Sequence, residues 1–169
     1  MKFVLISTVL IFFILVISCD NPFAPRLSGN ITQETVLGDQ TTIDGLFKNF
    51  RYAYTYKDTL VYGNLLTDDF AFVYKNYDKG SQDFTWARID DLIATNGLFQ
   101  AAQSIDLVWN GIVSNFGDSL TKVIRRSFTL NITFSPSDIV TVEGAANLTI
   151  VRKKISDPWK IYIWRDESS

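Results

Sequence analysis

Apolar residues recur along this chain with two periods, and the change from one to the other divides it. Between Ile43 and Lys57 they fall three and four apart: Ile43, Leu46, Phe47, Phe50, Ala53 and Tyr54 share one face, with Asn49, Arg51 and Asp58 elsewhere. That spacing predicts an amphipathic helix. Thr41 is placed to cap it, with Asp44 three residues on in a capping-box-like spacing that suits the positive helix end. Asp58 then caps a shorter helix through Leu60, Val61, Leu65 and Leu66, which Thr67-Asp68-Asp69 stops, and Phe70 to Tyr74 is the first expected strand. After a polar turn from Lys75 to Gln82, Asp83 or Thr85 caps a third expected helix. Its face is Trp86, Ile89, Leu92 and Ile93, and its end is Asn96-Gly97.

Beyond Gly97 the period becomes two. Ile105, Leu107 and Trp109 alternate with Asp106 and Asn110, a turn spans Asn115 to Ser119, and Phe128, Leu130, Ile132 and Phe134 alternate with Thr129, Asn131 and Thr133. Ser135-Pro136-Ser137-Asp138 is the next turn. Val140, Val142, Ala146, Leu148 and Ile150 share a face of a long strand in which Gly144 marks a bulge or bend. The hairpin Lys153 to Pro158 leads into Trp159 to Arg165, where Trp159, Ile161 and Ile163 fall on one face and Tyr162 and Trp164 on the other. Helix, helix, strand, helix and four long antiparallel strands make an α+β arrangement, with the helices covering one sheet face.

The first residues follow neither period. Lys2 precedes an apolar run from Phe3 to Ile17, short for a bilayer core but right for a secretory signal. It ends in Val16-Ile17-Ser18-Cys19, which resembles a bacterial lipobox: a branched apolar residue three before the cysteine, a small one just before it, and the only cysteine of the chain. The resemblance implies removal of residues 1–18 and lipidation of Cys19. The bland alternative is an uncleaved anchor that ends in a buried thiol.

Cleavage before Cys19 removes 18 of the 169 residues and leaves 151; Lys2 goes with them, so the formal net charge moves from −2 to −3. A domain of that length buries roughly 70% of its unfolded surface. No second cysteine remains for a disulfide, and the acidic balance argues against nucleic acid as a partner. Residues 19–39 hold Pro22, Pro25, Gly29 and Gly38 and read as a flexible tether reaching roughly 25 Å; residues 40–169 are one domain. The expected address is the bacterial cell envelope, outside the cytoplasm and anchored to a membrane by lipid. Asp20 resembles the inner-membrane retention signal of enterobacterial lipoproteins, a code that is not universal, so inner or outer membrane stays open.

The run from Ile43 to Tyr74, with FKNFRYAYTYKDTLVYGNLLTDDFAFVY, and the closing WKIYIWRDE resemble the nuclear transport factor 2-like superfamily, also called SnoaL-like or cystatin-like. The resemblance implies a cone-shaped fold, a curved antiparallel sheet with three N-terminal helices on its concave face. Members include ketosteroid isomerases, epoxide hydrolases, dehydratases and polyketide cyclases beside catalytically silent binding modules, so the fold does not name a function. In the isomerases the general base follows an aspartate pair as DDxxxxD. Here Asp68 and Asp69 are followed at that step by Tyr74, a phenol whose ordinary pKa of about 10 makes it a poor base at neutral pH. The chain has no histidine, which removes the histidine-dependent dehydratase arrangement and any histidine-based zinc site.

No catalytic residue, metal or cofactor is therefore expected. Tyr54, Trp86, Trp109 and Arg126 are the candidates for a ligand pocket inside the cone. Arg126 shares the alternation of Phe128, Leu130 and Ile132, where a guanidinium needs a carboxylate partner or an anionic ligand; the bland reading is that it reaches solvent or pairs with an acid such as Glu143. For the aromatic residues the bland reading is core. Tyr162 and Trp164 give the last strand a second apolar face, a candidate interface for a homodimer or an envelope protein unless a loop or the leader covers it.

Weaker signals are Arg152-Lys153-Lys154, for anionic headgroups or simply a solvated hairpin, and Asn76, Asp78, Gly80 and Asp83, which lack the spacing of a calcium loop. The Asn-x-Thr triplets at Asn30, Asn131 and Asn147 read as threonine-rich strand sequence rather than glycosylation sites. The expected function is non-catalytic binding of a small apolar ligand or a protein partner; the alternative is an isomerase, hydrolase or cyclase acting in the cone.

Overall fold

Local sequence sets the first helices. In the computed structural model, which describes residues 36–76 and 82–168, helix α1 is Ile43–Tyr56 and α2 is Thr59–Leu65. The signal segment, Cys19, Asn30, Asp78 and Gly80 lie outside the described residues, and no helix among the described residues is long and apolar enough to cross a membrane. Thr42, one residue after the expected cap, accepts the Gly45 N–H at 3.0 Å. At the other end Lys57 turns left-handed, φ 55°, and its amide closes onto the carbonyls of Ala53 and Tyr54. Asp58 caps α2 as expected, its carboxylate accepting from Leu60 and Val61 at 3.0 and 2.9 Å.

Gly38 and Asp39, assigned to the tether by composition, are held on the domain. Buried Asn49 accepts the Gly38 N–H at 2.6 Å and donates back to its carbonyl at 3.1 Å. A Cβ at Gly45 would stand 1.8 Å from the Asp39 carbonyl oxygen, so only glycine lets the chain pass there. Gln40 and Trp159 exchange two hydrogen bonds of 2.8 Å, which tie this segment to the start of the last strand.

Strand β1, Leu66–Asn76, takes in Thr67-Asp68-Asp69, which sequence placed in a turn. It pairs antiparallel with β2, Gln82–Ala87, a strand where a helix was expected. Phe84 and Trp86 stand across from Tyr74 and Phe72, and their rings pack with centroids 5.4 to 5.8 Å apart. Cross-strand aromatic pairing outweighs local helical spacing. Helix α3 therefore starts later, at Arg88, and runs past exposed Gly97 to Ala101. Its buried face is Asp91, Thr95 and Phe99, whereas Ile89 and Ile93 of the expected face are 62% and 66% exposed.

Strands β3 (Ser104–Gly117), β4 (Thr121–Ser135), β5 (Asp138–Val151) and β6 (Lys160–Ser168) pair antiparallel in sequence, as their alternation predicts. β1 then joins β6 in parallel, a pairing the all-antiparallel expectation did not contain, and the sheet order is β2-β1-β6-β5-β4-β3. The result is α+β: three helices on one curved, unclosed six-stranded sheet. The β4–β5 ladder passes Gly144, opposite Phe128, without a register shift, so the ladder carries no bulge there. Register shifts lie elsewhere, at Asn110–Gly111 and Val113 in β3, at Phe134 in β4 and at Tyr162 in β6.

The core joins Leu46, Phe47, Phe50 and Ala53 of α1 to Tyr62, Leu65 and Leu66, and on the sheet to Ile105, Leu107, Ile124, Leu148, Ile150, Trp159 and Ile161. Full burial of each large side chain contributes about 1.5–3 kcal/mol.

Candidate ligand cavity

The site depends on the bulge in β6. Ile161 pairs with Ile150 and Ile163 with Thr149, adjacent residues on β5, so Tyr162 is an extra residue with no partner in that ladder. One extra residue inverts the alternation after it. Trp164 then pairs with fully buried Leu148, and Asp166 with fully buried Ala146. Trp164, expected on the outer face beside Tyr162, thus turns into the cone and brings Asp166 with it. Tyr162 alone stays outside, 37% exposed, and the two-residue interface patch does not form.

Between α1 and the sheet is a cavity of about 150 Å³, lined by Phe50, Tyr54, Phe72, Leu107, Trp109, Phe128, Leu130, Val142, Trp164 and Asp166. The rings meet mostly edge to face, Trp109 on Phe50 and Phe128 and Trp164 on Phe50 and Phe72, at centroid distances of 5.2 to 6.0 Å. Such pairs add about 0.5–1.5 kcal/mol each beyond area burial and make a firm wall. The indole N–H groups of Trp109 and Trp164 are buried without a hydrogen-bond partner among the described residues, each at a cost of about 1–3 kcal/mol.

Behind Tyr54 a polar thread runs into the core. Asp91 on α3 accepts the Tyr62 hydroxyl at 2.7 Å, and Tyr54 hydrogen-bonds with Tyr62 and Thr95. Burial is the main cause of every shift here. It pushes the Asp91 carboxyl up to about 6, opposed by the Tyr62 bond, and lifts both phenols well above their usual range, so Tyr54 and Tyr62 stay protonated.

Of the sequence-chosen pocket residues, Tyr54 and Trp109 line the cavity, but Trp86 and Arg126 do not. Trp86 lies on β2 against Phe72 and Tyr74. Arg126 lines an open groove on the other side of Trp109, about 350 Å³, with Asp44, Phe47, Lys48, Arg51 and Val108. Its Nε donates to the carbonyl of Asn110 at 2.9 Å, a group presented by the β3 bulge, and its guanidinium rests 4.7 Å from the centroid of Phe47. Burial pulls its pKa down and Asp44 opposes that.

Glu143 is not its partner; it stands across from Thr129. In the basic hairpin, Arg152 is held by the carbonyls of Ser119, Thr41 and Ile155 and by the Trp159 ring, so only Lys153 and Lys154 are presented to solvent.

Asp166, the one carboxylate of the lining, escaped sequence reasoning because strict alternation after Ile161 places it outside. Its signal was present: it lies two residues from Trp164, so whichever way the tryptophan faces, the acid follows. Among the described residues no three His, Cys, Asp or Glu side chains cluster to hold a metal ion.

No family model and no curated protein matches the sequence. Solved structures do match. The Kfla4162 protein of Kribbella flavida shares 18% identity over 78% of this chain and 90% of that one, with a TM-score of 0.64. A conserved protein of Planctomyces limnophilus shares 16% over 75% and 93%, also at 0.64. A provisionally assigned dehydratase of the nuclear transport factor 2-like family from Streptomyces avermitilis shares 13% over 71% and 89%, at 0.57. At these identities the likeness speaks for the fold: this chain adopts the nuclear transport factor 2-like fold that its sequence resembles.

Proposed function

We propose that this chain is a lipid-anchored lipoprotein of the bacterial cell envelope whose domain binds a small, largely apolar ligand in the cone without turning it over. The observation that supports binding is the cavity itself. Nine of its ten lining residues are aromatic or aliphatic, and apolar cavities of this volume take up molecules the size of benzene. The lipobox supports the address.

Native mass spectrometry of the mature chain, made as Cys19→Ser and exposed to envelope extract, tests the binding. A retained small molecule that disappears in Val142→Phe, which fills the cavity, is the expected result; an unchanged mass in both chains overturns the reading. For the address, wild type partitions with membranes and Cys19→Ser with the soluble fraction. Equal partitioning of the two would remove the anchor.

A second reading, proton-transfer catalysis of the isomerase, hydrolase or cyclase kind, has one observation in its favour. Asp166 and the protonated phenol of Tyr54 line the same cavity, an acceptor and a donor for one substrate. Solved relatives that include a provisionally assigned dehydratase are compatible with it. Turnover abolished in Asp166→Asn with ligand affinity retained would establish this reading over the carrier.

A further inference from the structure

We infer that the cavity selects a small neutral molecule with a hydrogen-bond-accepting oxygen, a ketone, ester or ether that takes the indole N–H groups of Trp109 and Trp164. This rests on the reading that the cavity binds a ligand and adds what the ligand must carry.

Trp109 comes from β3 and Trp164 from β6. Both indoles line the cavity and both pack edge to face on Phe50, with centroids 5.3 and 5.4 Å from it. Each N–H is buried, and neither has a hydrogen-bond partner among the described residues. A buried indole N–H ordinarily finds an acceptor. The rings packed on these two, Phe50, Phe72 and Phe128, have none to offer. The oxygen-bearing side chains of the lining are engaged elsewhere: Tyr54 hydrogen-bonds with Tyr62 and Thr95, and Asp166 has an interaction of its own. The acceptor is therefore left to the occupant.

Charge and size narrow its class. No lysine or arginine lines the cavity, so an anionic oxygen would give up its water without gaining a counter-charge. A carbonyl or ether oxygen satisfies a donor and adds none that would itself need a partner. About 150 Å³ accommodates one six-membered ring and little more.

The test compares cyclohexanone with methylenecyclohexane, in which a methylene group replaces the oxygen. Both are titrated calorimetrically into the mature chain made as Cys19→Ser, with benzene as a probe of the cavity alone. Water solvates the ketone better, so a cavity with nothing to donate prefers the alkene. Donors left unpaired by the alkene reverse that order, and cyclohexanone is expected to bind about tenfold more tightly. In proton–nitrogen correlation spectra its binding should move the indole N–H signal of Trp109, Trp164 or both downfield, while that of Trp159, which does not line the cavity, stays in place. Trp109→Phe and Trp164→Phe alter the wall's shape as well as its donors, so the ratio of ketone to alkene affinity is the readout, and it should fall severalfold in at least one of them. Should these variants fail to fold, the wild-type titrations and spectra decide. Equal or tighter binding of the alkene, or ketone binding that moves neither indole signal, overturns the acceptor and leaves the apolar cavity standing. So does a Trp109 shift that survives Val142→Phe, since it would come from the outer groove that Trp109 also borders. No binding of ketone, alkene or benzene overturns both.

Discussion

Two concavities lie on either side of Trp109, and they differ in enclosure and in sign of charge. The inner one holds about 150 Å³ among rings and one carboxylate; the outer one, about 350 Å³, carries Lys48, Arg51 and Arg126 against Asp44. Sequence singled out Tyr54 and Trp109 of the inner wall together with Arg126 of the outer one, the last because an arginine within an apolar alternation is conspicuous. The outer charges are nonetheless half solvated: Arg51 meets Asp106 at 3.9 Å with both side chains more than half exposed, a pair of little energetic weight.

The sharpest way to break this contrast is to delete Tyr162. Without the extra residue, β6 returns to strict alternation and turns Trp164 and Asp166 out of the cone. The expected outcome is loss of the cooperative thermal transition and of the near-ultraviolet circular dichroism; a chain that keeps both would show that the bulge does not set the site. Trp164→Ala leaves the register but removes the ring that packs on Phe50 and Phe72. A loss of about 3–5 kcal/mol is expected from denaturant unfolding.

Asp91→Asn acts on the polar thread behind the cavity. As pH rises from about 4 to about 6, the unfolded carboxyl releases its proton while the folded one, pushed up to about 6 by burial, keeps it. Stability falls through that window, and the full cost is present above it. The asparagine should be more stable by about 2 kcal/mol at pH 7.5, nearly unchanged at pH 4, and its unfolding midpoints should show a flatter pH profile. The smallest effect belongs to the outer groove. Arg126→Met, which keeps the apolar stem, should cost about 0.5–1 kcal/mol by removing the contact with Phe47. Affinity in the inner cavity should not change, and a tenfold change would make the two concavities one site.

Local features were legible. Asp58 at the head of α2 needed only its own two following amides, the face of α1 needed only its spacing, and β3 to β6 followed from alternation. Misread elements share one property, that a distant segment decided them. Residues 82–87 became a strand because the aromatics of β1 stood ready to pair. Ile89 and Ile93 ended in solvent because the tyrosines of α1 and α2 engaged Asp91 and Thr95 on another side of α3.

Sequence by itself determined the class of fold, the first two helices, the four antiparallel strands that end the chain and most of its core, since periodicity and capping act over a few residues and need no partner. Tertiary structure decided the site. Four residues of β1, 67–70, pass between the pairings of Leu66 with Ile161 and of Ala71 with Ile163, where β6 has only Tyr162, and that mismatch of lengths accompanies the bulge that carries Trp164 and Asp166 inside. No local rule contains the length of a strand that ends at Asn76 when β6 begins only at Lys160, so the face on which an acid falls was settled only when the strands met.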